Sequence, residues 1–198
     1  MTLIETIAAV CGVLCVWLTV RQNVLCWPTG LVQVVLYIGV FYHARLYSDL
    51  ILHVIYVVMQ IYGWYHWLLG GQDRTELKVT VLSSSAMVGW VAIVVGATVP
   101  WGYAMATYTD AAAPYADAFI AVASLTAQWL MARKKLASWY FWVTVDLVAI
   151  GVYLSRQLVI TTGLYLLFLG LAVLGYLRWK QTIQAPSICR PGEMEVAP

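Results

Sequence analysis

The chain reads WLTVR at residues 17–21 and, 112 positions later, WLMAR at residues 129–133. The same offset relates GWYHW at residues 63–67 to GYLRW at residues 175–179. Each copy ends the same kind of apolar run, which indicates a duplicated unit about half the chain long. Internal repeats in a membrane protein are typical of transporters, whose substrate site lies between the halves. The repeat therefore predicts a pathway for a solute.

The composition is that of a membrane protein. The chain is 63% hydrophobic and 10% charged, whereas a soluble domain has about 25% charged residues. The net charge of +2 is small and the basic residues are scattered, so we expect no nucleic-acid binding. The four cysteines lack the spacing of a disulfide framework or a zinc site, and no metal or cofactor is predicted. The first apolar segment has no basic residues before it, so it is not a signal peptide and should be retained.

Seven segments are long and apolar enough to cross a membrane. A spanning helix needs about 20 mainly apolar residues because the hydrocarbon core is about 30 Å thick. The predicted limits are 3–20, 24–42, 46–69, 79–99, 115–131, 136–155 and 158–179. The fold class is therefore an all-α membrane protein with seven transmembrane helices.

The distribution of basic residues predicts the orientation. Nine of the 11 Lys and Arg residues follow crossings one, three, five and seven, whereas Arg45 and Arg156 lie on the opposite side. The positive-inside rule then places the N-terminus outside and the C-terminus in the cytoplasm.

The repeats predict a 3+1+3 arrangement. The fourth crossing returns the chain to its starting side, so both three-helix units insert in the same orientation as parallel repeats. The predicted domains are the first repeat at 1–77, a connector helix and external loop at 78–113, the second repeat at 114–180, and a poorly ordered cytoplasmic tail at 181–198.

Polar and aromatic residues share single faces of the second, third, fifth, sixth and seventh predicted helices when each residue advances by about 100°. Such segregation from lipid is what a pathway requires. The residues that we select as substrate-binding candidates are Asn23, Trp27, Gln33, Tyr37, Tyr56, Gln60, Trp64, Gln128, Trp139, Trp142 and Asp146.

Some of these candidates could have a structural role instead of binding substrate. Tryptophans near helix ends often form interfacial belts, and Gln33 and Gln60 can equally serve as hydrogen-bond donors and acceptors between helices. Asp146 favours a functional role, because a carboxylate in the middle of a membrane helix is costly and usually lines a water-filled interior.

An enzyme is not supported, since the sequence lacks an H-E-x-x-H pair and a G-x-S-x-G turn. No catalytic residue is predicted. A receptor or purely structural membrane protein remains an alternative to a transporter.

Three motifs in this order resemble the PnuC family of bacterial nicotinamide riboside transporters. They are Asn23-x-x-x-Trp27-Pro28-x-Gly30, QIYGWxxW at residues 60–67, and QWLMARK at residues 128–134 running to Trp139-x-x-Trp142-x-x-x-Asp146. The resemblance covers nearly the whole chain apart from the tail. It implies a multi-pass carrier of the bacterial inner membrane, similar in architecture to the SWEET sugar transporters and assembled as a homotrimer.

The resemblance also implies a mechanism. The implied mechanism is facilitated diffusion of nicotinamide riboside by alternating access. A cytoplasmic riboside kinase then phosphorylates the substrate and prevents its return. Asp146 is the only clearly interior ionisable group, which favours uniport over ion coupling. Family members that carry thiamine or riboflavin remain alternatives.

The residues suit the implied substrate, which joins a cationic aromatic ring to a neutral ribose. Trp27, Trp139 and Trp142 are the candidates for stacking on the ring, with a cation-π attraction of about 0.5 to 2 kcal/mol. The side-chain amides among the candidates offer donors and acceptors for the carboxamide and the ribose hydroxyls. Asp146 either balances the positive charge or accepts hydrogen bonds from the ribose.

Overall fold

The computed structural model describes residues 3–43, 47–109 and 113–184. Within these ranges the chain forms seven α-helices and one short 3-10 turn at Gln72–Arg74. The helices are α1 Leu3–Val20, α2 Cys26–His43, α3 Tyr47–Leu69, α4 Ser84–Tyr108, α5 Pro114–Ala132, α6 Ser138–Ser155 and α7 Val159–Gln184. The prediction of an all-α chain with seven helices is confirmed.

The surface of the helices suits a lipid environment. In the described part of the chain, α1, α4, α6 and α7 are long and apolar enough to cross a membrane. Large apolar side chains such as Val88, Val159 and Ile160 are exposed along the helices. Helices satisfy their backbone hydrogen bonds internally, which allows them to lie in hydrocarbon. The chain is a multi-pass membrane protein.

The fourth helix differs most from its predicted limits, 79–99. It begins at Ser84 because the preceding segment is held extended: the Thr80 N–H donates to the Lys134 carbonyl at 3.1 Å, and the Leu136 N–H donates to the Thr80 carbonyl at 3.0 Å. It then continues through Pro100 to Tyr108. A proline within a membrane helix is tolerated where neighbouring groups satisfy the freed carbonyl. The connection between α4 and α5 is therefore shorter than the predicted external loop.

The seventh helix also continues beyond its predicted end at Trp179. It ends at Gln184, so residues 181–184 of the predicted tail are helical. The remainder of that predicted tail, residues 185–198, lies outside the described residues, as does Arg45.

The helices pack as two groups of three. Helices α1, α2 and α3 pack in sequence, as do α5, α6 and α7, while α4 packs against α5. The two groups meet where α1 contacts α7 and where α3 contacts α5. The interior of the protein therefore lies between the two groups.

Each group contains a tryptophan that packs flat against a glycine. The Trp27 ring of α2 occupies the space beside Gly63 of α3, where a Cβ would overlap with the indole. The Trp139 ring of α6 occupies the space beside Gly175 of α7 in the same way. Both members of this second pair lie 112 positions after those of the first.

Two further tryptophans join the groups to each other. The Trp67 Nε1–H of α3 donates to the Met131 carbonyl of α5 at 3.0 Å. The Trp179 Nε1–H of α7 donates to the Thr19 carbonyl of α1, also at 3.0 Å. The two indole rings are 5.8 Å apart between centroids. We call Trp67, Trp179 and these two hydrogen bonds the tryptophan clasp.

The tryptophan–glycine packing generates a prediction about stability. Gly63→Ala and Gly175→Ala each place a methyl group against an enclosed indole, and overpacking of this kind costs about 1 to 3 kcal/mol. Both variants should unfold at a lower temperature than the wild type when thermal unfolding is followed in detergent micelles.

Gly163→Ala is the matched control, because nothing lies within 4 Å of a Cβ at that position of α7. Equal melting temperatures for Gly175→Ala and Gly163→Ala would contradict the packing described above.

Candidate functional site

A cluster of hydroxyl and carboxyl groups lies between the helix groups. Asp146, in the middle of α6, is only 4% exposed. The Tyr165 ring of α7 contacts that of Tyr153 in a tilted arrangement, with centroids 5.0 Å apart. Asp146 and Tyr56 are close enough to Tyr165 to interact with it electrostatically. Tyr56 of α3 in turn interacts with Ser124 of α5. Four helices thus contribute to one polar region.

The charge of Asp146 has no basic partner there. Among the described residues, the only ion pair joins Arg156 to Asp117 at 3.3 Å, near the ends of α6 and α5. A buried carboxylate without a cation is costly. The site therefore favours a ligand that supplies positive charge or hydrogen-bond donors.

Side-chain amides lie on the opposite group of helices. The Gln60 amide of α3 is buried and occupies the space beside Gly30 of α2. Gln33, also on α2, is half-buried with its amide beside Gly12 of α1. A Cβ at either glycine would overlap with the amide, so the amide would have to move to accommodate a larger residue.

The site lies near the middle of the helices. Gln60 precedes Trp67 by seven residues on α3, and Asp146 follows Trp139 by seven residues on α6. Seven residues of helix correspond to about 10 Å. The amide and the carboxylate thus lie at a similar depth below the layer of buried tryptophans.

A layer of aromatic rings lies farther from the buried tryptophans than Gln60 and Asp146 do. His53 of α3 contacts the rings of Phe41 and Tyr56 at centroid distances of 4.8 and 5.8 Å. Tyr165 contacts Tyr153 and Phe168 at 5.0 and 6.0 Å. The three rings of the second cluster each lie 112 positions after those of the first, so the two helix groups present equivalent aromatic clusters.

Most of the predicted candidates face the interior, but two do not. Asn23 lies in the turn before α2 and is exposed, and its Oδ1 accepts a hydrogen bond from the Leu25 N–H at 2.9 Å. Trp64 is 37% exposed on α3. It follows Gly63, which faces Trp27, and one residue of helix rotates the side chain by about 100° away from that contact. The candidates that are buried or half-buried are Trp27, Gln33, Tyr37, Tyr56, Gln60, Gln128, Trp139, Trp142 and Asp146.

Trp27 and Trp139 have a packing role in this conformation. Each is enclosed between its glycine and a clasp tryptophan, with centroids 5.3 Å apart for Trp27 and Trp67 and 5.4 Å apart for Trp139 and Trp179. Their Nε1 atoms are buried and form no hydrogen bond among the described residues. Of the three predicted ring-stacking tryptophans, Trp142 is the one that is half-buried and not enclosed in this way.

The predicted set omits Tyr153, Tyr165 and Ser124, which complete the polar cluster. A signal for the two tyrosines was present in the sequence, because they lie 112 positions after Phe41 and His53. Helical projection within one segment could not show that these two faces meet.

The geometry defines a class of protein. Among the described residues, no three His, Cys, Asp or Glu side chains are grouped to hold a metal ion. Two three-helix groups instead enclose polar and aromatic side chains at the middle of a membrane protein, as is typical of solute carriers.

The chain belongs to the nicotinamide mononucleotide transporter family, whose family model matches residues 2–181. It is similar to the nicotinamide riboside transporter PnuC of Escherichia coli (strain K12), with 25% identity, covering 89% of this chain and 84% of the relative. PnuC of Neisseria mucosa is 28% identical, with 93% of this chain and 74% of the relative covered. The riboflavin/roseoflavin transporter RibM of Streptomyces davaonensis is 23% identical, with 88% and 83% covered.

A solved structure has the same fold. The crystal structure of the vitamin B3 transporter PnuC superposes with a TM-score of 0.73 and 26% identity, covering 91% of this chain and 82% of the other. The prediction of the PnuC family and of a transporter rather than an enzyme is confirmed by these relatives.

Proposed function

We propose that this protein takes up nicotinamide riboside across the bacterial inner membrane by facilitated diffusion. The observation that carries the proposal is Asp146, a buried carboxylate without a basic partner, at the depth of the Gln60 amide. Such a site suits a ligand that combines a cationic ring with hydroxyl and amide groups. The similarity to transporters named for nicotinamide riboside supports this choice of substrate.

The substrate lies between the helix groups in this proposal. The Trp142 ring stacks on the pyridinium ring, where cation-π attraction is worth about 0.5 to 2 kcal/mol. Gln33, Gln60 and Gln128 bond to the carboxamide and the ribose, with Tyr37 and Tyr56 completing the polar contacts. Asp146 balances the positive charge or accepts hydrogen bonds from the ribose.

The proposed architecture is that of parallel 3+1+3 repeats, similar to the SWEET transporters, with the N-terminus outside. The tryptophan–glycine pairs, the clasp hydrogen bonds and the aromatic clusters recur at the same offset and support this arrangement. The clasp lies at the end of the helices that carries most of the basic residues. Alternating access then requires the clasp to open for release into the cytoplasm.

Uniport is the proposed mode of transport, because Asp146 is the single acidic residue in the central part of the described helices. Net uptake then depends on phosphorylation by a cytoplasmic riboside kinase. A homotrimer is the proposed assembly. Helix α4 packs mainly against α5 and exposes apolar residues such as Val88 and Val95, which leaves a face for a second copy.

A second candidate substrate is riboflavin, since one relative is a riboflavin/roseoflavin transporter. Its neutral ring system does not require a buried carboxylate. Thiamine is cationic, so a buried carboxylate suits it better than riboflavin.

Uptake into liposomes tests the proposed substrate and mode of transport. Vesicles that contain only this protein should accumulate labelled nicotinamide riboside up to the external concentration, and no further, with no ion gradient. Accumulation no faster than in protein-free vesicles would favour a receptor or structural protein. Competition by unlabelled thiamine and riboflavin ranks the alternative substrates.

Binding titrations of purified variants test the site. Asp146→Asn and Trp142→Ala should each weaken nicotinamide riboside binding. The expected loss for Asp146→Asn is about 10- to 150-fold, because a hydrogen bond to a charged group contributes about 1.5 to 3 kcal/mol. Trp64→Ala is the control and should bind like the wild type, since its ring faces away from the interior. Wild-type affinity in both site variants would remove them from the binding site.

A further inference from the structure

The two helix groups meet along two seams at the clasp end, and the two seams are built differently. In the α3–α5 seam, the end of α3 contacts the end of α5 and the turn at residues 133–137. In the α1–α7 seam, the end of α1 contacts α7. The clasp has one bond in each seam, from Trp67 in the first and from Trp179 in the second. Because the two seams are related by the 112-residue offset, each position in one has an equivalent in the other.

Trp67 is held both at its edge and on its face by the other helix group. Its Nε1–H donates to the Met131 carbonyl at 3.0 Å, and the Lys134 Nζ lies 4.5 Å from the centre of its ring. Lys134 is only 6% exposed, and the attraction between an ammonium group and an indole is stronger away from water. At the other seam the residue equivalent to Lys134 is Gln22, which is uncharged. Its side chain donates to Thr182 Oγ1 at 3.0 Å in an exposed position.

A stack of rings also joins α3 to α5. The Tyr62 ring of α3 is nearly parallel to the Trp129 ring of α5, with centroids 5.2 Å apart and an interplanar angle of 9°. The His66 ring stacks on Tyr62 at 5.3 Å. The Arg133 guanidinium lies 4.6 Å from the centre of the Trp129 ring. We call these four side chains the α3–α5 stack.

The α1–α7 seam has only half of this stack. Trp17 and Arg21 are equivalent to its tryptophan and arginine, and the Arg21 guanidinium again lies over the indole, at 4.1 Å from the ring centre. Leu174 and Arg178 of α7 are equivalent to the tyrosine and the histidine. Neither has an aromatic ring, so no stack of this kind forms between α1 and α7.

The segment that follows α3 adds backbone bonds to the α3–α5 seam. The Leu77 N–H donates to the Trp67 carbonyl at 3.1 Å, which holds the segment against the end of α3. Farther along, the Thr80 N–H donates to the Lys134 carbonyl, and the Thr80 carbonyl accepts from the Leu136 N–H. The segment therefore links the end of α3 to the turn before α6. The residues equivalent to this segment lie outside the described part of the chain, so the two seams are compared here by their side chains alone.

We propose that the α3–α5 seam stays closed at the clasp end during transport and that the helix groups separate at the α1–α7 seam. This inference rests on the proposed alternating access, which requires the groups to part at this end. The clasp then opens on one side only: the Trp179 bond breaks, whereas the Trp67 bond persists. Two packed bodies that remain in contact along one seam part by rotation about it, which is hinge motion.

Cross-linking across each seam tests the proposal. Pairs of cysteines are introduced into a chain whose four native cysteines are replaced by alanine. Thr80→Cys and Lys135→Cys lie opposite each other in the β-bridge of the α3–α5 seam. Gln22→Cys and Thr182→Cys replace the two hydrogen-bonded side chains of the α1–α7 seam. A short bis-methanethiosulfonate links either pair, and a reducing agent releases the link.

The two links should have opposite effects on uptake of labelled nicotinamide riboside into liposomes. Linking the Gln22 pair should stop uptake, and reduction should restore it. Linking the Thr80 pair should leave the rate of the unlinked protein unchanged. Single-cysteine variants treated with the same reagent control for modification alone. Loss of uptake with the Thr80 pair, or full uptake with the Gln22 pair, would overturn the proposal.

Spin-label distances test the seams without a substrate. Labels at Arg21 and Gln181 span the α1–α7 seam, and labels at Leu69 and Lys135 span the α3–α5 seam. In nanodiscs the first pair should show a wider range of distances than the second. Equal ranges, or a wider range for the second pair, would overturn the proposal. Absence of uptake by the unlinked protein would instead overturn the proposed substrate, and the distances would still report on the seams.

An exchange of side chains tests what holds the α3–α5 seam. Tyr62→Leu, His66→Arg and Lys134→Gln together give this seam the side chains of its counterpart. The range of distances between the labels of the α3–α5 seam should widen in this variant. Tyr65→Leu is the matched control, because Tyr65 is 64% exposed on the same helix, and it should leave the range unchanged. An unchanged range in the triple variant would overturn the role given to the stack and to Lys134.

Discussion

The structure depends on two indole N–H groups that form hydrogen bonds between the two helix groups. Trp67 and Trp179 are buried where the two helix groups meet, and each donates to a backbone carbonyl of the other group. A buried indole N–H without a partner is costly, and more so within a membrane protein. The bonds therefore hold the groups in register at one end. They leave the middle of the helices free to enclose a polar site.

The contacts that recur at the 112-residue offset are those of packing, whereas the polar groups of the site do not recur. Gln60 corresponds to Ala172, and Asp146 corresponds to Val34. The two helix groups thus share a framework of tryptophan, glycine and clustered aromatic rings. Gln33 and Gln60 belong to one group, whereas Gln128 and the carboxylate of Asp146 belong to the other. The two sides of the proposed site therefore differ in chemistry, because the carboxylate lies on one side only.

The sequence predicted the helices well because their lengths follow from the thickness of the membrane and their composition from its hydrocarbon. It predicted less well where a residue's partner lies far along the chain. The extended segment before α4 depends on bonds between Thr80 and the turn that follows α5. No local pattern around Val79 indicates that pairing, so the apolar run there predicts a helix.

For the candidate site, the sequence by itself determined that Gln60 and Asp146 face inward, because a buried amide or carboxylate in a membrane helix must avoid lipid. Only the tertiary structure decided which aromatic residues are available to a ligand. Trp27 and Trp139 share faces with the polar residues, yet each is enclosed against a glycine of the adjacent helix. Helical periodicity gives the direction of a side chain about its own axis, but the neighbour that fills the space in that direction is set by how the helices pack.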